Sequence, residues 1–512
     1  MQKTGIFHVV LGMALSIGLA TSAAEPVAKT TQGLLRGETT GAVSHFLGVP
    51  FAKPPTGELR WRPPVAPATW QDVRPATSAG PACPQAAVAS LSGDLRNLPQ
   101  DEDCLYLNVW APADAKQLPV MVWIYGGAYR QGASSLPLYN GAALAAQGVI
   151  VVTLNYRVGA LGFFAHPALT REAAPDAPLG NYGLMDQLAA LRWVKQNIAA
   201  FGGDPARVTV FGESAGGGSI LHLMTIPEAR GLFSQAIVQS GGGLTNPVDL
   251  KTREAVGQRL AEAAGAPANA TSEDLRALKA GDLLTAANRV PGSAPAPFLD
   301  GRLLKTAPWR VFEAGSAMDI PLLIGANSNE ASVMSALGVP LTAADAFLGP
   351  DKARAKAAYG DITDTERARQ VLGDAWFVAP ARWVAGVSAS GAPAFLYHFD
   401  YVVEAQRGRV PGVNHGGEIP YVFKTWDAYP AIAASLTPGD RAYVNMVSAC
   451  WVSFAKSGRP DCVPGRAWPA YDAATDELTY FGTTLGVQSG FRKPQLDLLL
   501  ETFFRNSRHG AR

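Results

Sequence analysis

The sequence predicts an α/β fold, with a large, mainly parallel central sheet and helices on both faces. Apolar runs without polar alternation, such as residues 118–125 and 148–155, are typical of strands buried on both faces of a sheet. These runs alternate with segments of helical period, such as residues 185–201, where leucines and other apolar residues recur every three or four positions. Strand, helix and strand in series indicate a doubly wound sheet.

The remaining elements follow the same alternation. Further strands of the sheet are predicted at residues 207–211, 235–239, 320–325 and 394–399. Two mostly helical stretches, 251–294 and 341–387, are interpreted as excursions above the sheet that roof a substrate pocket. Because no repeat or low-complexity linker divides the chain, we expect a single domain over residues 25–512.

The composition argues for a globular protein with a small-molecule partner. Of the 512 residues, 48% are hydrophobic and 17% are charged, which suits a large core. The formal net charge is only +1, so the composition does not show the excess of basic residues that indicates nucleic-acid binding. Because no C-x-x-C or H-x-x-x-H spacing occurs, we also expect no metal site.

The first 24 residues have the pattern of a signal peptide. Lys3 supplies the positive charge of the N-terminal region, and residues 6–20 form a mainly apolar segment. Ser22-Ala23-Ala24 then provides the small residues of a cleavage site. A membrane anchor is the alternative, but glycines and polar residues dilute a span that should reach ~20 apolar residues. We therefore expect export, to a secreted or periplasmic location, without stable membrane insertion after cleavage.

Four cysteines accompany this export signal. An even number in an exported protein favours disulfides, here Cys83–Cys104 and Cys450–Cys462. The alternative is two or more buried free thiols. We predict no free thiol in the mature protein.

The stretch Gly212-Glu213-Ser214-Ala215-Gly216 carries the strongest chemical signal. It follows the apolar strand 207–211, and after Gly217 and Gly218 comes a segment, 219–224, that can open a helix. A G-x-S-x-G between a strand and a helix is the nucleophile-elbow pattern of the α/β-hydrolases. The glycines are expected because the turn is tight and the serine is held in a strained conformation.

A serine nucleophile needs a base, and His415 is the best-placed histidine. It lies late in the chain, in a loop, 413–418, that contains two glycines. A loop in this position can place a base above the sheet, within reach of the serine. The other six histidines are interpreted differently. His8 is removed with the signal peptide, His509 lies in a frayed tail, and His45 precedes the first structural motif. The remaining three are interpreted as structural: His166, His222 and His398.

The base in turn needs a carboxylate to orient its ring, and hydrolase order places that acid between Ser214 and His415. Glu330 is favoured because it follows the predicted strand 320–325 at its carboxyl end. Asp300 is the rival, although its Asp-Gly sequence is more typical of a turn.

An oxyanion hole is expected at Gly126-Gly127-Ala128, directly after the strand 118–125. Backbone N–H groups there can be aimed at a developing negative charge, and small residues let a carbonyl approach. The residue after the nucleophile, Ala215, should add another donor.

Together these segments resemble the type-B carboxylesterases, the cholinesterase-like and para-nitrobenzyl esterase-like branch of the α/β-hydrolases. The resemblance covers nearly the whole mature chain. Its ordered motifs are residues 46–55 (FLGVPFAKPP), 102–108 (EDCLYLN), 155–159 (NYRVG), 201–205 (FGGDP), the elbow, and 239–241 (QSG).

The resemblance implies roles for individual residues. The triad would be Ser214, Glu330 and His415, and the oxyanion donors would be Gly127, Ala128 and Ala215. It also supports the pair Cys83–Cys104, whereas Cys450–Cys462 is not carried over and stays a hypothesis. No metal or organic cofactor is required by such a mechanism.

Two departures from the family bear on the substrate. Where the family often has three glycines and then Phe, this chain has Gly126-Gly127-Ala128-Tyr129, and related hydrolases with small-residue motifs tend to accept bulky alcohol portions. Arg130 follows, in a segment that lines the gorge in the family. It either binds a substrate carboxylate through two hydrogen bonds or forms an internal salt bridge.

The resemblance therefore implies a carboxylesterase that acts on a small-molecule ester. The expected substrates range from simple, aryl and carbamate esters to diesters and polyacid esters such as those of fumonisin-type toxins, with Arg130 favouring acyl groups that bear a free carboxylate. The alternatives are a neuroligin-like binding protein that lacks a working triad, and a lipase with a mobile lid.

Overall fold

The computed structural model describes residues 25–86, 89–90, 93–389, 391–462 and 467–509. The predicted signal peptide, residues 1–24, lies outside the described residues. The strands are β1 (Val27–Lys29), β2 (Leu34–Arg36), β3 (Glu38–Thr40), β4 (Val43–Pro50), β5 (Arg74–Pro75), β6 (Ala89–Ser90), β7 (Gly93–Asp94), β8 (Tyr106–Pro112), β9 (Leu118–Ile124), β10 (Ile150–Leu154), β11 (Gly203–Glu213), β12 (Gln235–Gln239), β13 (Leu322–Asn327), β14 (Ala394–Phe399), β15 (Glu477–Phe481) and β16 (Leu485–Ser489).

The α-helices lie between and around these strands. They are α1 (Ala142–Ala145), α2 (Gly159–Gly162), α3 (Pro167–Glu172), α4 (Tyr182–Asn197), α5 (Ala215–Leu223), α6 (Leu250–Ala263), α7 (Ser272–Arg276), α8 (Ala280–Ala287), α9 (Pro308–Glu313), α10 (Ala343–Leu348), α11 (Lys352–Tyr359), α12 (Asp364–Gly373), α13 (Ala379–Ser388), α14 (Ile419–Phe423), α15 (Pro430–Ala433), α16 (Pro438–Ser457) and α17 (Lys493–His509). None of the helices in the part of the chain that the structure describes is long and apolar enough to cross a membrane.

An 11-stranded sheet forms the centre of the molecule, in the order β16-β15-β14-β13-β12-β11-β9-β10-β8-β4-β3. From β10 to β15 the neighbouring strands are parallel, and antiparallel pairs complete both edges. The predicted mainly parallel sheet is confirmed. Because parallel strands end at one edge, the loops after β9, β11, β12 and β13 meet there, which is where α/β sheets bind ligands.

The predicted inner strands are buried because both of their faces are covered by helices. On β9, Val120, Met121, Val122 and Trp123 are all inaccessible to solvent. Trp123 packs against Phe211 of the neighbouring strand β11, with ring centroids 4.8 Å apart. The absence of polar alternation that predicted these strands thus reflects burial on both faces.

The helical stretches predicted on either side of Glu330 are present. The first contains α6, α7 and α8, and α8 packs against α2, whose first residue, Gly159, donates its backbone N–H to the Tyr129 carbonyl oxygen. The second contains α10 to α13, interrupted by a π-helical turn, Asp374–Val378. That turn places the ring of Phe377 over the His415 ring, with centroids 4.6 Å apart, so the second stretch covers the candidate site.

Both expected cysteine pairs are joined, Cys83 to Cys104 and Cys450 to Cys462. Replacing Cys83 and Cys104 together by serine should lower the free energy of unfolding by about 2–4 kcal/mol, because the unfolded chain regains the freedom that the cross-link removes. Urea denaturation of both proteins without reductant measures this change. Equal stabilities would show that this disulfide does not stabilise the fold.

Candidate active site

Ser214 lies at the sharp turn between β11 and α5. Its backbone has φ 55° and ψ −123°, a strained conformation that a residue other than glycine rarely adopts. The residues that flank Ser214 must be glycines because the backbone at the end of β9 leaves no room for a side chain. A Cβ atom at Gly216 would lie 1.9 Å from the carbonyl oxygen of Ile124, and one at Gly212 would lie 2.6 Å from the same atom. The turn therefore has the geometry expected of a nucleophile elbow.

A continuous chain of hydrogen bonds joins Ser214, His415 and Glu330. The Ser214 Oγ lies 2.7 Å from His415 Nε2, and His415 Nδ1 lies 2.5 Å from Glu330 Oε2. The second Glu330 oxygen, Oε1, accepts hydrogen bonds of 2.6 Å from the Ser240 hydroxyl and from the Asn327 backbone N–H. His415 and Glu330 are buried, which strengthens these contacts by excluding water.

The loops that carry Glu330 and His415 are also tied directly to each other. The side-chain amide of Asn329 donates to Asn414 Oδ1 at 2.7 Å, and the amide of Asn327 donates to the Asn414 carbonyl oxygen at 2.9 Å. The His415 backbone N–H donates to Ser332 Oγ at 2.9 Å. These contacts hold the imidazole against the carboxylate before any substrate binds.

The rival acid, Asp300, has a structural role instead. Its carboxylate accepts hydrogen bonds from the backbone N–H groups of Leu179 and Leu304, at 3.1 Å and 2.7 Å. It thereby holds a turn, as its Asp-Gly sequence indicated. Two of the histidines set aside also have local roles, since His166 caps α3 through Nδ1 and His222 is buried within α5.

The turn after β9 lies against Ser214. A Cβ atom at Gly126 would be 2.8 Å from Ser214 Cβ. Gly127, Ala128 and Tyr129 all have positive φ angles, of 106°, 56° and 58°. No described residue accepts a hydrogen bond from the backbone N–H of Gly127, Ala128 or Ala215, so these donors are free for a ligand oxygen.

Tyr129 and Arg130 differ in their surroundings. The Tyr129 ring packs edge-on against Phe163, and its hydroxyl lies beside Ser219 of α5, so this residue supports the elbow helix. The Arg130 side chain is exposed, and it forms no ion pair or hydrogen bond with any residue that the structure describes. The internal salt bridge considered for Arg130 is therefore not formed within the described ranges.

Two further carboxylates, which the sequence pattern did not predict, lie beside His415. Glu213 Oε1 is 3.2 Å from His415 Nε2 and has no hydrogen-bond partner among the described residues. Glu418 accepts a 2.8 Å hydrogen bond from the Gln239 side chain and another from the Asn327 side chain. Both glutamates lie within sequence motifs, Glu213 in the stretch 212–216 and Glu418 in the loop 413–418, but neither motif shows that its carboxylate turns inward.

This cluster of buried charge shifts the titration of its members. Burial raises the pKa of Glu213 to about 8 and outweighs the opposing attraction of His415. Burial alone disfavours a charged imidazole, but the neighbouring carboxylates, Glu213 and then Glu330, outweigh it and raise the pKa of His415 to about 9. Across the described ranges, no group of three or more His, Cys, Asp or Glu side chains is placed to hold a metal ion.

This sheet, with its elbow at the carboxyl edge, defines an α/β-hydrolase. The carboxylesterase family model matches residues 24–499, and the chain belongs to that family. It is 37% identical to the fumonisin B1 esterase of Sphingopyxis macrogoltabida, over 93% of this chain and 90% of that protein. It is also 37% identical to the para-nitrobenzyl esterase of Bacillus subtilis (strain 168), over 90% and 96%.

Solved structures agree with this assignment. A PNB esterase structure superposes with a TM-score of 0.80 at 34% identity, and covers 93% of this chain and 100% of its own. The Geobacillus stearothermophilus carboxylesterase EST55 gives a TM-score of 0.79 at 35% identity, over 92% of this chain and 99% of its own. The chain is therefore a carboxylic ester hydrolase.

Proposed function

We propose that the chain is an exported serine carboxylesterase whose catalytic triad is Ser214, His415 and Glu330. The observation that carries this proposal is the unbroken hydrogen-bond chain from the Ser214 hydroxyl to the Glu330 carboxylate. The two disulfides support export, because such bonds persist in oxidising compartments.

The reaction follows from this geometry in two acyl-transfer steps. His415 takes the proton of Ser214 as its Oγ attacks the ester carbonyl, and Glu330 stabilises the resulting imidazolium. The carbonyl oxygen gains negative charge and accepts hydrogen bonds from the N–H groups of Gly127, Ala128 and Ala215. His415 then protonates the leaving alcohol, and water repeats the sequence on the acyl-enzyme.

A fluorophosphonate probe tests the nucleophile and separates this proposal from a non-catalytic binding protein. Stoichiometric labelling at Ser214, located by peptide mapping, is expected for an activated serine. No labelling under conditions that label a known serine esterase would favour the binding protein. Activity that rises only above the solubility limit of the ester would favour a lipase with a lid.

We further propose that Arg130 favours acyl groups with a free carboxylate. Its guanidinium is exposed and unpaired within the described part of the chain, and the similarity to a fumonisin B1 esterase supports such a preference. Arg130→Ala should lower kcat/KM for a 4-nitrophenyl hemisuccinate by about tenfold or more, because a hydrogen bond between charged groups is lost.

The control for Arg130→Ala uses both a second ester and a second arginine. 4-Nitrophenyl butyrate has the same alcohol and a neutral acyl group, so its kcat/KM should change much less. Arg192→Ala, at an exposed position on α4, should affect neither ester. Equal losses on the acidic and neutral esters would contradict the recognition of a carboxylate.

The pH dependence tests the influence of Glu213 on the base. A negative charge beside His415 stabilises the imidazolium and raises its pKa, whereas catalysis requires the neutral ring. Glu213→Gln should therefore lower the pKa of His415 and move the acid limb of the kcat/KM profile to lower pH, by about one unit or more. The exposed change Glu228→Gln is the control, and an unshifted acid limb would contradict this prediction.

A further inference from the structure

A series of polar contacts connects α12 to the loop that carries His415. It begins at Glu366, which accepts hydrogen bonds from Arg369 Nε and Nη2 at 2.7 Å and 2.6 Å. The third nitrogen of the guanidinium, Nη1, donates to Asn329 Oδ1. The Asn329 amide donates in turn to Asn414 Oδ1 at 2.7 Å. Because Asn414 precedes His415 in the chain, these side chains link a helix above the site to the catalytic base.

The helix α12 also lies directly against Glu330. A Cβ atom at Gly373, the last residue of α12, would be 3.3 Å from Glu330 Cβ. The chain continues from Gly373 into the π-helical turn that places the Phe377 ring over His415. One continuous segment of the chain thus approaches both the acid and the base.

The guanidinium of Arg369 determines which way the Asn329 amide faces. A guanidinium carries only hydrogen-bond donors, whereas an amide carries an oxygen acceptor on one side and an NH₂ donor on the other. The Asn329 oxygen must therefore face Arg369, and its NH₂ group must face Asn414. Asn329 is 5% exposed, so water has little access to compete for these positions.

The conformation of Asn414 depends on this contact. The residue is exposed, so its side chain would otherwise be free to turn into solvent. The Asn327 amide donates to the Asn414 carbonyl oxygen at 2.9 Å, which holds the peptide bond that leads into His415. With its side chain and its carbonyl both held, Asn414 limits how far the imidazole of His415 can move.

We propose that Arg369 is a positioning residue for the catalytic base, and that it acts through Asn329 and Asn414 to keep His415 in line with Ser214. The proposal rests on the proposed function, in which His415 takes the proton of Ser214. A misplacement of ~1 Å caused by a change far from the chemistry can cost ~10²-fold in rate, so a contact of this kind can control turnover.

Arg369→Met tests this role, because it removes the guanidinium and keeps an unbranched side chain on α12. The kcat for 4-nitrophenyl butyrate should fall about tenfold and KM should change less than about twofold, since the base is displaced and the ester contacts are not. The rate of fluorophosphonate labelling at Ser214 should fall with kcat. An unchanged kcat, or a loss that appears in KM alone, would overturn the proposal.

The matched control is Arg354→Met, on the neighbouring helix α11. Arg354 is exposed and pairs with Glu501 at 2.6 Å, so this change also removes an arginine and its ion pair. Both kcat and KM should stay unchanged. An equal loss of kcat in Arg354→Met would show that removing any arginine from these helices slows the enzyme, and would overturn the specific role of Arg369.

A double-mutant cycle with Asn414→Ala separates positioning from a general loosening of the helices. Without the Asn414 side chain, the orientation of the Asn329 amide can no longer influence His415. Arg369→Met should then lower kcat by less than about twofold when it is added to Asn414→Ala, because coupled changes are not additive. The same tenfold loss in both backgrounds would contradict transmission through Asn414.

Glu366→Gln provides the same test if Arg369→Met does not fold. It keeps the arginine and weakens the pair that orients its guanidinium, so kcat should fall about threefold to fivefold, as expected for a weakened hydrogen bond to a charged group. That loss should disappear in the Asn414→Ala background, and its persistence at full size would overturn the proposal. Failure of the fluorophosphonate to label Ser214 in the unmodified enzyme would instead overturn the proposed function.

Discussion

Replacing Ser214 by alanine is expected to lower kcat by about 10⁵–10⁶-fold, the size of the loss seen when a triad serine is removed. The methyl group cannot attack a carbonyl, and no other hydroxyl in the described part of the chain is hydrogen-bonded to His415 Nε2, from which the Ser214 hydroxyl lies 2.7 Å away. Residual catalysis should survive, because the oxyanion donors and substrate binding remain. Hydrolysis of 4-nitrophenyl acetate measures the change.

Two controls accompany Ser214→Ala. The thermal midpoint should stay close to that of the unmodified protein, because the substitution removes one oxygen atom and leaves the turn in place. Ser489→Ala, on the exposed end of β16, should leave kcat unchanged. A loss of less than about tenfold in Ser214→Ala would rule out this residue as the nucleophile.

Replacing Glu330 by glutamine is expected to lower kcat by about 10⁴-fold, as for a triad acid converted to its amide. The Asn327 backbone N–H and the Ser240 hydroxyl both point to Glu330 Oε1. The single oxygen of a glutamine would therefore face the backbone donor, and its NH₂ group would face His415 Nδ1. The imidazole would then carry its proton on Nε2 and could not accept the proton of Ser214.

The matched control is Glu228→Gln, which removes an exposed carboxylate elsewhere on the surface. Fluorophosphonate labelling adds a second readout, since the rate of labelling of Ser214 should fall with kcat in Glu330→Gln. A kcat within about tenfold of the unmodified enzyme would contradict the role of Glu330, given the usual size of this effect.

Local patterns predicted most of the fold. The strand at 118–125 is observed as β9, and the helix at 185–201 is observed as α4 followed by a 3₁₀ turn that ends at Gly202, with φ 82°. The exact ends differ, since β13 begins two residues later than expected and runs to Asn327. Ends depend on pairing with neighbouring strands, which a local pattern does not contain.

The choice between Glu330 and Asp300 shows where local patterns reach their limit. Both residues stand between Ser214 and His415 in chain order, and both follow apolar segments. Only the packed structure brings the Glu330 carboxylate to His415 Nδ1 and directs the Asp300 carboxylate to backbone donors. Ring contact between Phe377 and His415 arises in the same way, through a π-helical turn that periodicity did not predict.

The sequence by itself determined the α/β class, the elbow around Ser214 and the small-residue turn at Gly127, because each depends on residues adjacent in the chain. The tertiary structure alone decided which distant groups meet. Ser214 and His415 are 201 positions apart and touch because the strands end at one edge of the sheet. The inward carboxylate of Glu418, which accepts hydrogen bonds from Gln239 and Asn327, likewise depends on how separate segments pack, and no local spacing encodes that packing.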